Sequence, residues 1–241
     1  MTVLIDRVWR RHRRSAQAWE RSEIAATWQI CSLLLDYPSQ ELLRELPTLR
    51  AVTHSLPATL GGGLRTFLDS IKGLDMLALQ QEYVDTFDVT RKCALHLTYA
   101  TCGDTRRRGV SLEQFKQTYR AAGVALEDED AELPDFLPMV LEFGALTHFD
   151  SGWRLLTDHR VSIELVHRAL LRRESRWLPV MDALRATLPT LVGTDEEALA
   201  ALIAAGPPTE EVGIDGAMDP YSALSSAPQS LGLSIPVGAP R

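Results

Sequence analysis

Four groups of residues in this 241-residue chain have types and spacings that chemistry can use. Glu164 and His167 form an E-x-x-H step, which puts a carboxylate and an imidazole on one face of a helix, as in di-iron bundles. That site needs a second E-x-x-H and two further glutamates, and the chain has no second copy. His167 then reads as a partly exposed helix residue. Cys93, His96 and Cys102 offer soft metal ligands, but C-x2-H-x5-C matches no common zinc module and lacks an evident fourth ligand. They read better as buried thiols beside a core or interface histidine, with a Cys102 nucleophile and His96 as base the lesser alternative. Asp85, Asp88 and Asp104 offer oxygen ligands for Mg2+ without the H-D or paired D-D signature of helical phosphohydrolases. The Gly103–Gly109 stretch, GDTRRRG, suits an anion but is not a phosphate loop. Its arginines serve as well to pair with Asp85, Asp88 or the acidic stretch Glu127–Asp130. The enzymatic reading is therefore a metal-dependent or thiol-dependent helical hydrolase built on Cys93/His96/Cys102 or Asp85/Asp88/Asp104.

The elements that must position these groups are helical. Ile24, Trp28, Cys31 and Leu35 share one helix face, with Ser22 as a candidate N-cap and Tyr37-Pro38 as the stop. Ser39 caps a second helix expected to end before Pro47, and Gly61-Gly62-Gly63 reads as a flexible break. Leu64, Phe67, Leu68 and Ile71 resume the spacing, and Met76, Tyr83 and Phe87 carry another helix to about Asp88. Ser111 and Gln114 have capping-box spacing before Phe115 and Tyr119, with Gly123 as terminator. Asp135 is placed to cap a helix bearing Leu137, Leu141 and Ala145. Ile163, Val166 and Leu170 mark one more helix, and Val180, Leu184 and Leu188 another. Thr194 and Glu197 have capping-box spacing ahead of Leu199, Leu202 and Ile203. Period-2 runs are absent, so the expected fold is all-α.

Composition bounds the rest. A net charge of -7 disfavours generalised nucleic-acid binding, and no apolar run reaches the roughly 18 to 20 residues of a membrane span. Three scattered cysteines make no secreted disulfide framework, which points to the cytoplasm. Arg7, Arg10, Arg11, Arg13 and Arg14 form a basic start, but the following SAQAWERSE is not the apolar stretch of a signal peptide. From Gly206 on, Gly and Pro make up roughly a third of the residues against a usage of about 12%. Residues 1–21 thus read as a basic extension, 22–205 as one globular helical domain and 206–241 as a disordered tail, with Leu231–Val237 as a segment able to dock.

A binding reading uses more of these residues than an enzymatic one. A helical domain can receive an amphipathic client helix in an apolar groove with charges on its rim. Tyr83, Phe87, Tyr99, Phe136 and Phe143 are candidate walls. Asp85, Asp88 and Asp135 suit basic client residues, and Arg106, Arg107 and Arg108 acidic ones. Aromatics at helical spacing serve equally as core.

YVDTFD, HLTYATCGDTRRRG and ELPDFLPMVLEF resemble the nitrate reductase delta-chain family of molybdenum-cofactor assembly chaperones (NarJ), within the TorD-like redox-enzyme maturation proteins. The resemblance spans roughly residues 24–205 and is most specific at 83–143. It implies an all-helical TorD/NarJ-like fold without cofactor and a chaperone in place of a catalyst. The implied client is the apo catalytic subunit of respiratory nitrate reductase, held by its N-terminal segment until the molybdenum cofactor is inserted. Molybdenum-cofactor biosynthesis proteins are further implied partners. Carried onto this sequence, the client-binding candidates are Asp135 and Glu142, then Tyr83, Phe87, Asp88, His96, Asp104, Arg106, Arg108 and Phe136. Family members commonly carry His where Phe136 stands, and a phenyl ring cannot titrate near pH 6.5. The match leads one to expect that Asp135→Ala weakens client binding more than folding.

Overall fold

The computed structural model describes residues 19–102, 106–125 and 132–205. The basic start, Asp104, the acidic stretch Glu127–Asp130 and the Gly/Pro-rich tail lie outside them. The described chain is all-α, as expected. Its helices are α1 Arg21–Leu35, α2 Gln40–Ser55, α3 Ala58–Ser70, α4 Met76–Tyr83, α5 Tyr99–Cys102 and α6 Arg106–Ala121. They continue as α7 Leu137–Glu142, α8 Phe149–Asp158, α9 Arg160–Arg172, α10 Leu178–Thr187 and α11 Thr194–Ala205. Both α4 and α7 run on into one wide π-helical turn, Val84–Asp88 and Phe143–Thr147.

Two tryptophans organise the core, because each buries a large ring and finds a partner for its N–H. Trp177 is wholly buried against Phe67, Tyr83 and Phe87, with centroids 5.3–5.8 Å away, and donates to the Leu34 carbonyl at 3.0 Å. Trp28 donates to the Thr187 hydroxyl at 2.9 Å and stacks on Phe149 at 5.0 Å. The predicted α1 face (Ile24, Trp28, Cys31, Leu35) is buried as read, as are Ile163, Val166, Leu170, Val180, Leu184 and Leu188. Tyr37-Pro38 does follow the end of α1, Ser39 does cap α2, and Gly123 ends α6 with φ +80°.

Several boundaries differ from the sequence reading. Helix α1 starts at Arg21, not after Ser22, because the Glu23 carboxylate reaches back to the Glu20 N–H at 2.8 Å. Pro47 does not end α2: it lies on the exposed side, where water can replace the lost backbone bond, while Leu42, Leu49 and Thr53 hold the inner face. Ser111 and Gln114 lie inside α6, which already includes the arginines from Arg106. Thr194 is the first helical residue of α11, and the Gly193 carbonyl accepts the N–H groups of Glu196 and Glu197.

The Gly61-Gly62-Gly63 run is helix, not a break. A Cβ on Gly61 would run into the Thr53 carbonyl of α2, and one on Gly63 would sit 2.5 Å from the Pro179 carbonyl of α10. These glycines let α3 pack directly on backbone at both sides, and the α3–α10 contact is the most extensive between helices. Gly62 meets nothing within 4 Å. Gly62→Ala is expected to stabilise the fold by about 0.5–1 kcal/mol. Gly63→Ala is expected to cost about 1–3 kcal/mol through overpacking. Urea midpoints measured side by side check both, and equal shifts would remove the close-packing account.

A buried aspartate clasp and an apolar groove

Asp135 of the ELPDF segment caps no helix. Phe136, not Asp135, precedes α7, and Asp135 is fully buried. One carboxylate oxygen accepts both the Thr98 N–H at 3.0 Å and the Thr98 hydroxyl at 2.6 Å. Backbone bonds flank it: Leu97 N–H to the Asp135 carbonyl at 3.0 Å and Leu137 N–H to the Leu95 carbonyl at 2.9 Å. Tyr119 of α6 donates to the Pro134 carbonyl at 2.8 Å from a third direction. Residues 95–98 and 132–137 are therefore clasped as one unit, although neither is regular structure over most of its length.

Burial alone pushes the Asp135 carboxyl up, but the His96 contact and the two Thr98 bonds outweigh it and hold it below the usual carboxylate range. His96 Nδ1 stands 3.4 Å from the other Asp135 oxygen, long for a hydrogen bond, and neither atom has an aligned partner. That contact is electrostatic, not an aligned hydrogen bond. The His96 ring also lies 5.5 Å from Phe136 and its Nε2 is 3.7 Å from Glu132.

The remaining candidates divide between core and surface. Tyr83 and Phe87 are about 4% exposed, and the Tyr83 hydroxyl donates to the Leu35 carbonyl at 3.0 Å. Phe143 is buried against Tyr119. As walls for a client these three are enclosed, since Trp177 and Tyr119 already occupy their faces. Asp85, Asp88 and Glu142 are exposed on the two wide turns or beside them. Arg106 and Arg107 are exposed at the start of α6, and Arg108 lies over the Tyr99 ring at 5.7 Å. Asp104 falls outside the described residues.

The Cys93/His96/Cys102 and Glu164/His167 groups do not assemble, and the Asp85/Asp88/Asp104 set includes a residue outside those described. Among the described residues no three His, Cys, Asp or Glu side chains are grouped to hold a metal ion. Cys93 is wholly buried, and burial, only partly offset by Arg173, raises its thiol, the opposite of an activated nucleophile. Cys102 is half-buried, not enclosed, with its Sγ 3.8 Å from the Ser111 hydroxyl. His167 is buried, not partly exposed, and pairs with Asp182 at 2.7 Å. Glu164 belongs to an ion network: Arg185 grips it through two nitrogens at 2.8 and 3.1 Å, and Arg160 reaches it at 3.2 Å.

Sequence reasoning missed the groove beside the clasp. Leu95, Leu97 and Leu137 form its floor with Ile163 and Val166 of α9, and Arg91, Lys92 and Arg172 stand on its rim. Tyr99 and Leu165 line it and are half-buried. The HLTY string named one wall, but only folding brings α9 to it from some 65 residues away in sequence. Thr98, the clasp partner, was equally silent, because a threonine in a loop carries no spacing signal.

Fold and site together describe an all-helical protein with an apolar groove beside a buried aspartate clasp. The sequence profile described as "Nitrate reductase delta subunit" matches residues 53–183, and the chain belongs to that family. It is 40% identical over 143 residues to the nitrate reductase-like protein NarX of Mycobacterium tuberculosis, a match spanning 59% of this chain and 21% of NarX. It is 30% identical over 172 residues to the nitrate reductase molybdenum cofactor assembly chaperone NarJ of Escherichia coli K12, covering 70% of this chain and 72% of NarJ. The fold is shared with a solved protein from Archaeoglobus fulgidus described as a redox enzyme maturation protein, at TM-score 0.50 and 21% identity, covering 70% of this chain and 93% of that one.

The clasp sets a pH dependence. A carboxyl held below its unfolded value adds stability that is fully present above the unfolded value of about 3.9 and is lost as pH falls through the folded one. Asp135→Asn should therefore flatten the acid limb of the stability–pH curve below about pH 4. Because the side chain is internal, Asp135→Ala should cost about 2–3 kcal/mol in folding, against the expectation of an effect mainly on client binding. Chemical denaturation at several pH values checks both, and an unchanged acid limb would rule out the clasp as its source.

Proposed function

We propose that this chain is a system-specific chaperone for the catalytic (alpha) subunit of respiratory nitrate reductase. It binds that subunit in the cytoplasm, including its N-terminal segment, and keeps it competent for molybdenum cofactor insertion before membrane assembly. Family membership and the printed role of the Escherichia coli relative support this, and the observation that carries it is the groove. Its floor is apolar, its rim is cationic and one of its walls is clasped in place by Asp135. That architecture suits a short amphipathic helix better than a reacting bond.

The physics of release follows. A client segment that is unstructured when free and folds on binding loses conformational entropy at that step, which keeps affinity moderate. Cofactor insertion stabilises the folded client and so competes with the chaperone-bound form. No nucleotide hydrolysis and no catalysis by this chain enter the scheme. Residues 22–205 act as the chaperone domain. Asp135, Tyr83 and Phe87 act in it by fixing the groove wall and core. His96, Phe136, Asp88, Glu142, Asp104, Arg106 and Arg108 are the positions offered to the client.

Calorimetric titration with a peptide from the amino terminus of the cognate catalytic subunit tests the reading. Saturable one-to-one binding is expected, weakened about tenfold or more by Leu165→Glu, which puts a charge into the half-buried groove wall. No binding from pH 5 to 8 would sink the chaperone reading, and binding indifferent to Leu165→Glu would move the client elsewhere.

A further inference from the structure

In the free chain, the groove is not empty of helix: α11 already lies against it. Leu202 and Ile203 of α11 complete its lining opposite Ile163 and Val166. What remains open is a cavity of about 60 Å³, room for roughly four waters and not for a client helix. At its other end α11 sets Glu196 in a cavity lined by Arg160, Arg168 and Arg185. Those three guanidiniums share two carboxylates, buried Glu164 and exposed Asp182, so one positive charge is in excess before α11 contributes its own acids.

We propose that α11 is an internal stand-in for the client helix and must leave for the client to bind. The inference rests on the groove being the client site, as argued above. Its chemistry matches the track beneath it. Asp195, Glu196 and Glu197 occupy the first turn, Glu196 lines the arginine-rich cavity, and every residue from Ala198 to Ala205 is apolar. Its hold is weak: of residues 194–204 only Leu199 is buried, and Ala198, Ala200, Ala201 and Ala204 are exposed. It joins α10 through a short linker ending at Gly193, whose φ of +63° lets the chain reverse. It also lies beyond the family match, which ends at residue 183. The partner fitting this track is therefore a helix with an acidic residue at the place of Glu196 and side chains larger than Leu202 and Ile203 on the face toward the floor. Such a helix buries more apolar surface on the same floor and displaces the stand-in.

The test uses the full chain and a fluorescein-labelled synthetic peptide of residues 193–205 with phenylalanine in place of Leu202 and Ile203, the two residues that line the groove. Leu199→Asp, which unseats α11, is expected to tighten peptide binding about tenfold, because only chains with the track open can bind. Glu196→Lys should act in the same direction and covers the case where Leu199→Asp disturbs the fold. A peptide with its three acids replaced by lysine should lose most of its affinity. Equal binding to the wild type and both variants, or indifference to the charge swap, would overturn the proposal. Hydrogen exchange adds an independent arm: the nitrate reductase segment should strip protection from amides 194–205 as it binds. Binding with those amides still protected would also overturn it. Failure of that segment to bind at all removes the client reading alone, because the labelled peptide still decides the role of α11.

Discussion

A charged carboxylate enclosed by protein is costly unless donors surround it, and at Asp135 the donors come from a segment 37 residues earlier in the chain. Thr98 supplies both its N–H and its hydroxyl to one oxygen, and backbone bonds close on either side. Much else depends on this arrangement. It sets where α7 begins, and so the register with which Val140 and Leu141 enter the core. The same clasp turns Leu95 and Leu97 inward as the groove floor and leaves His96 and Phe136 half-buried. Without the paired segments, the groove would lose the wall opposite α9.

Behind the clasp the molecule is stiff, and towards α11 it loosens. The two indole N–H groups are satisfied by partners more than 140 residues away in sequence, so α1 and α10 are locked at both ends of their contact. Glycines at 61 and 63 let α3 approach backbone to backbone, which leaves no slack for side chains to rearrange. Buried Glu164 ties α9 to α10 through Arg185, a directional link inside an otherwise apolar packing. By contrast α11 touches the body mainly through α9, and among its residues 194–204 only Leu199 is buried. A closely packed groove wall beside a weakly held helix is the division that the proposed client binding calls for.

The fold class was legible in the chain, since 3.6-residue periodicity with no period-2 runs leaves an all-helical protein as the reading. The buried faces of α1, α9 and α10 were legible for the same reason. Local punctuation was less reliable. Pro47 and the triple glycine read as breaks because propensity disfavours them inside helices, yet solvent on one side and close packing on the other override it. The capping residues Ser22, Ser111, Thr194 and Asp135 had the right chemistry, but other groups supplied the first carbonyl or carboxylate, or the helix had already begun.

Sequence by itself determined the family through three short strings, the helical class and most of the core, because those properties are carried by residue type and local spacing. Tertiary structure alone decided what the strings are for. Whether Asp135 faces a client, a helix end or Thr98 depends on which distant segment folds against it. Whether Glu164 and His167 meet a metal or arginines and an aspartate depends on what α10 brings. The groove itself belongs to no string, because its floor is shared between residues 95–97 and α9, and only packing, which brings segments remote in sequence side by side, could create it.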